Sequence, residues 1–233
     1  MNIALFGYGK MGKMIEQIAQ DRGHTIVAKI DVDTKEIPYD NMDVAIDFST
    51  PEAAFDNITG CFENGVPVIC GTTGWLSNYE KAIDICNKNQ GGFIYASNFS
   101  LGVNIFFELN AHLAKMMSGL EQYNVSMEEI HHTQKLDAPS GTAITLAEGI
   151  IANTNYKGWK LDQTGEGTIP ITSKREGMVP GTHSISYDSA VDSIEIKHTA
   201  HNREGFALGA VIAAEWIQGK TGIFTMKDVL NLY

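Results

Sequence analysis

Short apolar runs alternate with stretches of helical periodicity over the first hundred residues. Residues 3–6 form an unbroken apolar run, 11–22 repeat apolar positions at helical spacing, and 25–30 return to strand character behind Gly23, a glycine placed where helices commonly stop. The alternation continues with an apolar strand at 44–48 and a hydroxyl cap before proline at Thr50-Pro51. Then come a strand at 66–70, an S-x-x-E capping box at Ser77-Asn78-Tyr79-Glu80 opening a helix to about Asn89, and a fifth strand at 93–96. Strands separated by helices imply a parallel sheet covered on both faces, a doubly wound α/β domain.

After Asn98 the pattern changes. A long amphipathic helix is predicted over 103–117, with Met116 and Met117 in its packing, then an extended segment at 124–130 and a helix at 142–152. Turn-rich residues at 158–167 precede strand-like runs at 168–173, 182–187 and 193–199. Strands without helices between them imply a mostly antiparallel sheet and hence a second domain of α+β character. The chain closes with a helix at 205–218 and a short one after the cap Thr225. Terminal helices fit best on the first domain, so residues 1–100 and 204–233 are expected to form it and 101–203 the second.

Composition narrows the function classes. With 28 acidic against 17 basic side chains and a net charge of -11, the chain lacks the Lys and Arg clusters through which proteins release counterions from phosphate backbones. Nucleic acid and anionic membranes are not expected partners. No apolar run reaches the roughly 18 to 20 residues that cross a bilayer, and the N-terminus enters a strand pattern at once; the expected location is the cytoplasm. Cys61, Cys70 and Cys86 are odd in number and unrelated in spacing, so they read as reduced, buried thiols.

Two segments carry chemistry. Gly7-Tyr8-Gly9-Lys10-Met11-Gly12 lies between a predicted strand and helix, and Asp31 ends the next strand about 20 residues on. Those are the parts of a Rossmann-like dinucleotide fingerprint: glycines admit the pyrophosphate to a helix N-terminus and the acid accepts from the ribose. Asp31 repels a ribose phosphate, which favours NADH over NADPH. Lys10 and Lys35 either soften that preference or are solvated surface lysines. Gly71-Thr72-Thr73-Gly74 and Asn98-Phe99-Ser100 follow strands at the carboxyl edge, where ligands bind in open α/β folds; the first reads equally as a structural turn.

The second segment, Glu129 to Ala143, contains His131, His132, Lys135 and the helix start Gly141-Thr142. Imidazole titrates near neutrality, an ammonium pairs with a carboxylate, and N–H groups at a helix start complete an anion receptor. Adjacent residues of an extended segment diverge, so one imidazole faces a cleft and the other does not; either reads alone as a core histidine. A metal site from His131, His132 and Asp137 is not expected, because adjacent imidazoles seldom converge on one ion. Arg203 serves an interdomain contact or the cofactor's charge, or is a surface arginine.

The string H-H-x-x-K-x-D-A-P-S-G-T, together with the N-terminal glycine turn, Gly71-Thr72-Thr73-Gly74, Asn98-Phe99-Ser100 and the 203–209 segment in the same order, resembles the dihydrodipicolinate reductase family over essentially the whole chain. The resemblance implies NADH- or NADPH-dependent reduction of a cyclic imine dicarboxylate, 4-hydroxy-tetrahydrodipicolinate, in the diaminopimelate route to lysine, by a homotetramer. It implies His131 as proton donor and Lys135 as the second catalytic residue, with His132, Gly141, Thr142 and Thr73 on the substrate carboxylates. On the cofactor side it implies Gly7, Gly9, Lys10, Met11, Gly12, Asp31, Gly71, Thr73, Asn98 and Phe99. Cofactor and substrate would sit on different domains that close together. Departures from the family pattern are a first loop one residue shorter, Lys10 in place of arginine, Thr50 where arginine is common, and abbreviated strands between Tyr187 and Ser193.

Overall fold

The structure, a computed structural model, describes residues 1–233. The chain divides into two compact units, Met1–Leu101 with Glu204–Tyr233, and Gly102–Arg203.

The first unit holds a six-stranded sheet built from β1 (Asn2–Phe6), β2 (Thr25–Ile30), β3 (Val44–Asp47), β4 (Val68–Cys70), β5 (Gly92–Tyr95) and β11 (Gly222–Phe224). Its order is β11-β5-β4-β3-β1-β2, and every pairing is parallel. The order in which strands are added reverses between β1 and β3, which opens a crevice at their carboxyl ends. Period-two alternation sends side chains to both faces. Ile3 and Leu5 pack with α1 (Lys10–Asp21) and α6 (Glu204–Ile217), whereas Ala4 and Phe6 pack with α2 (Pro51–Glu63) and α3 (Tyr79–Lys88). Each fully buried large apolar side chain here contributes on the order of 1.5–3 kcal/mol. All three cysteines are free and buried, as their spacing implies. The strand β11 has no counterpart in the sequence reading: three residues are too few to show a period. Nor does the capping box at Ser77 form. Residues Leu76–Asn78 make a 3-10 turn, and Asn78 precedes α3 without a side-chain cap.

The second unit contains α4 (Leu101–Met117), β6 (Asn124–His131), α5 (Gly141–Ile151), β7 (Gly158–Leu161), β8 (Thr168–Arg175), β9 (Gly181–Asp188) and β10 (Ser193–Ala200), with sheet order β10-β9-β6-β8-β7. The α+β character holds, but the sheet is mixed rather than mostly antiparallel. β10 and β6 run antiparallel to β9, while β8 runs parallel to both β6 and β7. The physical reason is α5, which carries the chain from β6 back across the sheet before β7, as parallel strands require. Along β6 the residues Val125, Met127, Glu129 and His131 face inward, the first two joining a core with Phe106, Leu113, Leu146 and Ile171. Met117 belongs to that core, but Met116 is 57% exposed, so only one of the paired methionines packs inside.

Candidate functional site

In the first unit the turn after β1 is shaped by glycine. Gly7 has φ +86°, and a Cβ there would lie 2.2 Å from the Phe48 carbonyl oxygen; a Cβ on Gly12 would lie 2.3 Å from the Gly7 oxygen. Neither position admits a side chain. Gly9 caps α1 without a side-chain hydrogen bond and with open space around its Cα, so the helix's first N–H groups face outward for an anion. A crevice of about 470 Å³ opens at this turn, lined among others by Gly7, Gly9, Asp31, Val32, Ser49 and Thr50. The shape and donors fit a dinucleotide. Asp31 is its one charged lining residue, exposed and with its carboxylate accepting from the Val32 N–H.

Beside the crevice, Asp47 is buried at the end of β3. It accepts from the Ser49 N–H and hydroxyl, the Thr72 hydroxyl and Asn57. Burial pushes its carboxyl up, against the pull of those donors. Thr72 is thereby fixed, and its carbonyl accepts from Trp75 Nε1 at 2.9 Å. Residues 71–74 are therefore a braced turn that leaves Thr73 exposed, and Gly71 is required because a Cβ would meet the Phe48 ring at 2.2 Å. Asn98 Oδ1 accepts from the Ser100 N–H, and Phe99 is buried in the core. Lys10 is exposed, and Met11 packs on the α1 face of the sheet.

In the second unit a polar row crosses three strands. Glu129 on β6 stands opposite His183 on β9 and Ser173 on β8, and His131 stands opposite Arg175. Glu129 is fully buried and accepts from the Ser140 N–H at 3.0 and 3.1 Å and from the Ser173 hydroxyl at 2.6 Å. Its Oε2 lies 3.4 Å from His131 Nε2 and 3.6 Å from His183 Nε2, with Arg175 3.5 Å from Oε1. Burial pushes this carboxyl up, but His131, His183, Ser140 and Ser173 together outweigh it, leaving it ionised well below its ordinary range. Burial acts oppositely on His183 and disfavours its imidazolium, with Glu129 opposing.

The neighbouring loop is tied to this row. Arg175 donates to the Ser173 hydroxyl and to the carbonyls of Lys135 and Asp137, so one guanidinium holds both the buried carboxylate's partner and the Lys135 loop. Lys135 Nζ pairs with both Asp137 oxygens at 2.8 Å. His132 lies beyond the strand and is half-buried, whereas His131 is buried. Gly141 and Thr142 open α5 behind the cap Ser140, and a Cβ at Gly141 would meet nothing within 4 Å, so the helix start is open to a ligand.

The His131, His132 and Asp137 set forms no cluster. Glu129, His131 and His183 do bring donor atoms within 4.8 Å of one another, a zinc-like combination. Yet the carboxylate is already engaged by hydroxyl and N–H donors and faced by a guanidinium, so a dication would enter against positive charge. Glu129 was legible as a same-face neighbour two residues before His131. Its cross-strand partners depend on register, which no local pattern encodes.

A parallel, doubly wound sheet with a glycine turn at its reversal point, joined to a second, α+β unit with a buried acid–imidazole row, defines a Rossmann-type nicotinamide-dinucleotide oxidoreductase. The family profiles described as "Dihydrodipicolinate reductase, N-terminus" and "Dihydrodipicolinate reductase, C-terminus" match residues 1–99 and 102–230. The chain belongs to the dihydrodipicolinate reductase family. It is 62% identical over 234 aligned residues to 4-hydroxy-tetrahydrodipicolinate reductase of Christiangramia forsetii, covering 99% of this chain and 98% of that protein. A reductase of the same name from Neisseria meningitidis serogroup C is 35% identical, with 93% of this chain and 84% of that one covered. Among solved structures, the dipicolinate-bound dihydrodipicolinate reductase of Paenisporosarcina sp. TG-14 has the same fold at a TM-score of 0.80 and 22% identity, covering 97% of each chain.

Proposed function

We propose that this protein reduces 4-hydroxy-tetrahydrodipicolinate to tetrahydrodipicolinate in the diaminopimelate route to lysine, as a cytoplasmic homotetramer using NADH in preference to NADPH. The observation that carries the reading is the Arg175 bracket, which ties the Lys135 loop to the buried Glu129–His131 row on the strand leading to the α5 start. A cation, an acid–base imidazole and exposed helix N–H groups on one unit suit a dicarboxylate whose ring must be both polarised and protonated.

Loss of the ring hydroxyl as water leaves a carbon conjugated to the C=N bond. NADH, which the Gly7–Gly12 turn and Asp31 would hold, would supply hydride to that carbon. The displaced electron pair then forms a new C–H bond at the adjacent carbon, with the proton leaving His131. Lys135 and the N–H groups of Gly141 and Thr142 hold the carboxylates and withdraw electron density from the ring; His132 completes the set on this unit. Turnover consumes one NADH and one proton and releases NAD+ and water. The crevice lining offers Asp31 and no Lys or Arg, which supports NADH, since a ribose phosphate would find repulsion and no counter-charge.

The test is NADH oxidation with the condensation product of pyruvate and aspartate semialdehyde. Wild type should turn over, and Lys135→Ala should lose about 10²–10⁴ in rate while its NADH Kd stays within about twofold. Equal rates would remove Lys135 from the chemistry. No turnover by wild type would remove the substrate assignment.

A further inference from the structure

The proposed proton donor is held from several sides by groups outside the H-H-x-x-K string. Its ring meets the His183 ring edge to face, centroids 5.1 Å apart at 72°, with the two Nε2 atoms 3.4 Å apart. Its Nε2 also faces Glu129 Oε2 at 3.4 Å. On the Cε1–Nδ1 edge stands Gly181, where a Cβ would come within 3.0 Å of Cε1. Both polar neighbours are themselves immobilised: Glu129 by Ser140, Ser173 and Arg175, and His183 by the Ser140 hydroxyl at 3.1 Å from its Nε2. A carboxylate with that many donors does not rotate to follow an imidazole; the imidazole must align to it.

From this geometry we propose that Glu129 and His183 are positioning residues for the reduction, a buried clamp that sets the ring orientation and tautomer of His131. The proposal rests on His131 being the donor. In the protonation step the imidazole N–H bond breaks and the substrate C–H bond forms, the ring electron pair of the substrate making the new bond. Glu129 stays ionised throughout, offsetting the charge of the imidazolium before transfer, and the ring is reprotonated from water. The dependence of a catalytic imidazole on a fixed acid that is not itself protonated is the logic of carboxylate–histidine pairs. Other charged or titratable groups around the row include Arg175 on β8, His198 opposite His183 on β10, Lys135 with Asp137 in the adjoining loop, His132 next in the chain, and Glu176, whose N–H donates to the His131 carbonyl. Within the row it is Glu129 Oε2 and His183 Nε2 that stand 3.4 Å from His131 Nε2.

Glu129→Gln and His183→Gln keep hydrogen-bonding capacity while removing the charge or the ring. Each should lower kcat by on the order of 10- to 100-fold, with KM for NADH and for the imine within about twofold. The solvent deuterium isotope effect on kcat should rise and the effect of deuterated NADH should shrink, because protonation has become the slow step. Reduced kcat with both isotope effects unchanged, or rates equal to wild type, would overturn the clamp. Should both variants fail to fold, wild-type protein with 15N-histidine gives the answer by itself: a ring N–H proton in slow exchange with water, coupled to the His131 nitrogen, is expected, and its absence overturns the proposal. That spectrum needs no substrate, so failure of the clamp and failure of the reductase reading are separately visible.

Discussion

Single atoms decide the tightest places in this protein. Gly209 lies within α6, and a Cβ there would sit 1.7 Å from the Phe99 carbonyl oxygen. That is well inside contact distance and against backbone, which cannot swing aside. Gly209→Ala is expected to cost about 1–3 kcal/mol or more by overpacking, read as a lowered urea midpoint. The loop it would displace carries Asn98, so NADH affinity should weaken in parallel. Thr50→Arg acts in the opposite sense at the crevice: adding the cation that its lining lacks should raise the NADPH-to-NADH ratio of kcat/KM by roughly tenfold, the worth of a charge-assisted pair of about 1.5 kcal/mol. An unchanged ratio would mean that the ribose lies away from Thr50.

Among the elements, α5 does two jobs through one cap. The Ser140 hydroxyl accepts from the Ala143 N–H and contacts His183, while its own N–H goes to Glu129. Ser140→Ala should therefore cost at least the ~1 kcal/mol of an ordinary cap, by thermal melting, and should also depress kcat; a melt unchanged from wild type would show that the cap is dispensable. The same element explains what could be read in advance. Helices and most strands showed because local periodicity reports them, and His131 and Lys135 showed because their motif is contiguous. The direction of β8 relative to β6 did not, since it depends on where α5 returns the chain. His183, Ser173 and Arg175 stayed hidden for the same reason: each meets Glu129 or His131 across a strand pairing, and nothing near them in sequence announces a partner 44 or 54 positions away. Asp47 was hidden differently, inside an apolar run that read simply as strand.

Across the whole molecule, acid is the stress to which the ion pairs are tuned. The Glu215 carboxyl is held below its ordinary value first by Arg22 and then by His24, and Glu129 is held low once its donors outweigh burial. A carboxyl whose folded value lies below its unfolded one contributes stability at pH above the unfolded value, here near 4.5, and that stability is lost as pH falls through the folded value. Urea midpoints should thus slip as pH falls through about 6.5, because burial disfavours the imidazolium of His183 and His198, and fall further below about 4.5, with a shallower fall in that lower range in Glu129→Gln. A midpoint that rises in acid would contradict both assignments.

The cross-strand row in the second unit also has a bearing on how the enzyme comes alive. Because His183, Glu129 and Ser173 sit on three different strands, no partly assembled sheet contains the complete acid–imidazole row, and a slip of one residue would turn Glu129 outward. On the proposed roles of these residues, nascent or refolding chains are expected to be inert until the last of these strands docks. The first appearance of turnover is then a clock for completion of that sheet.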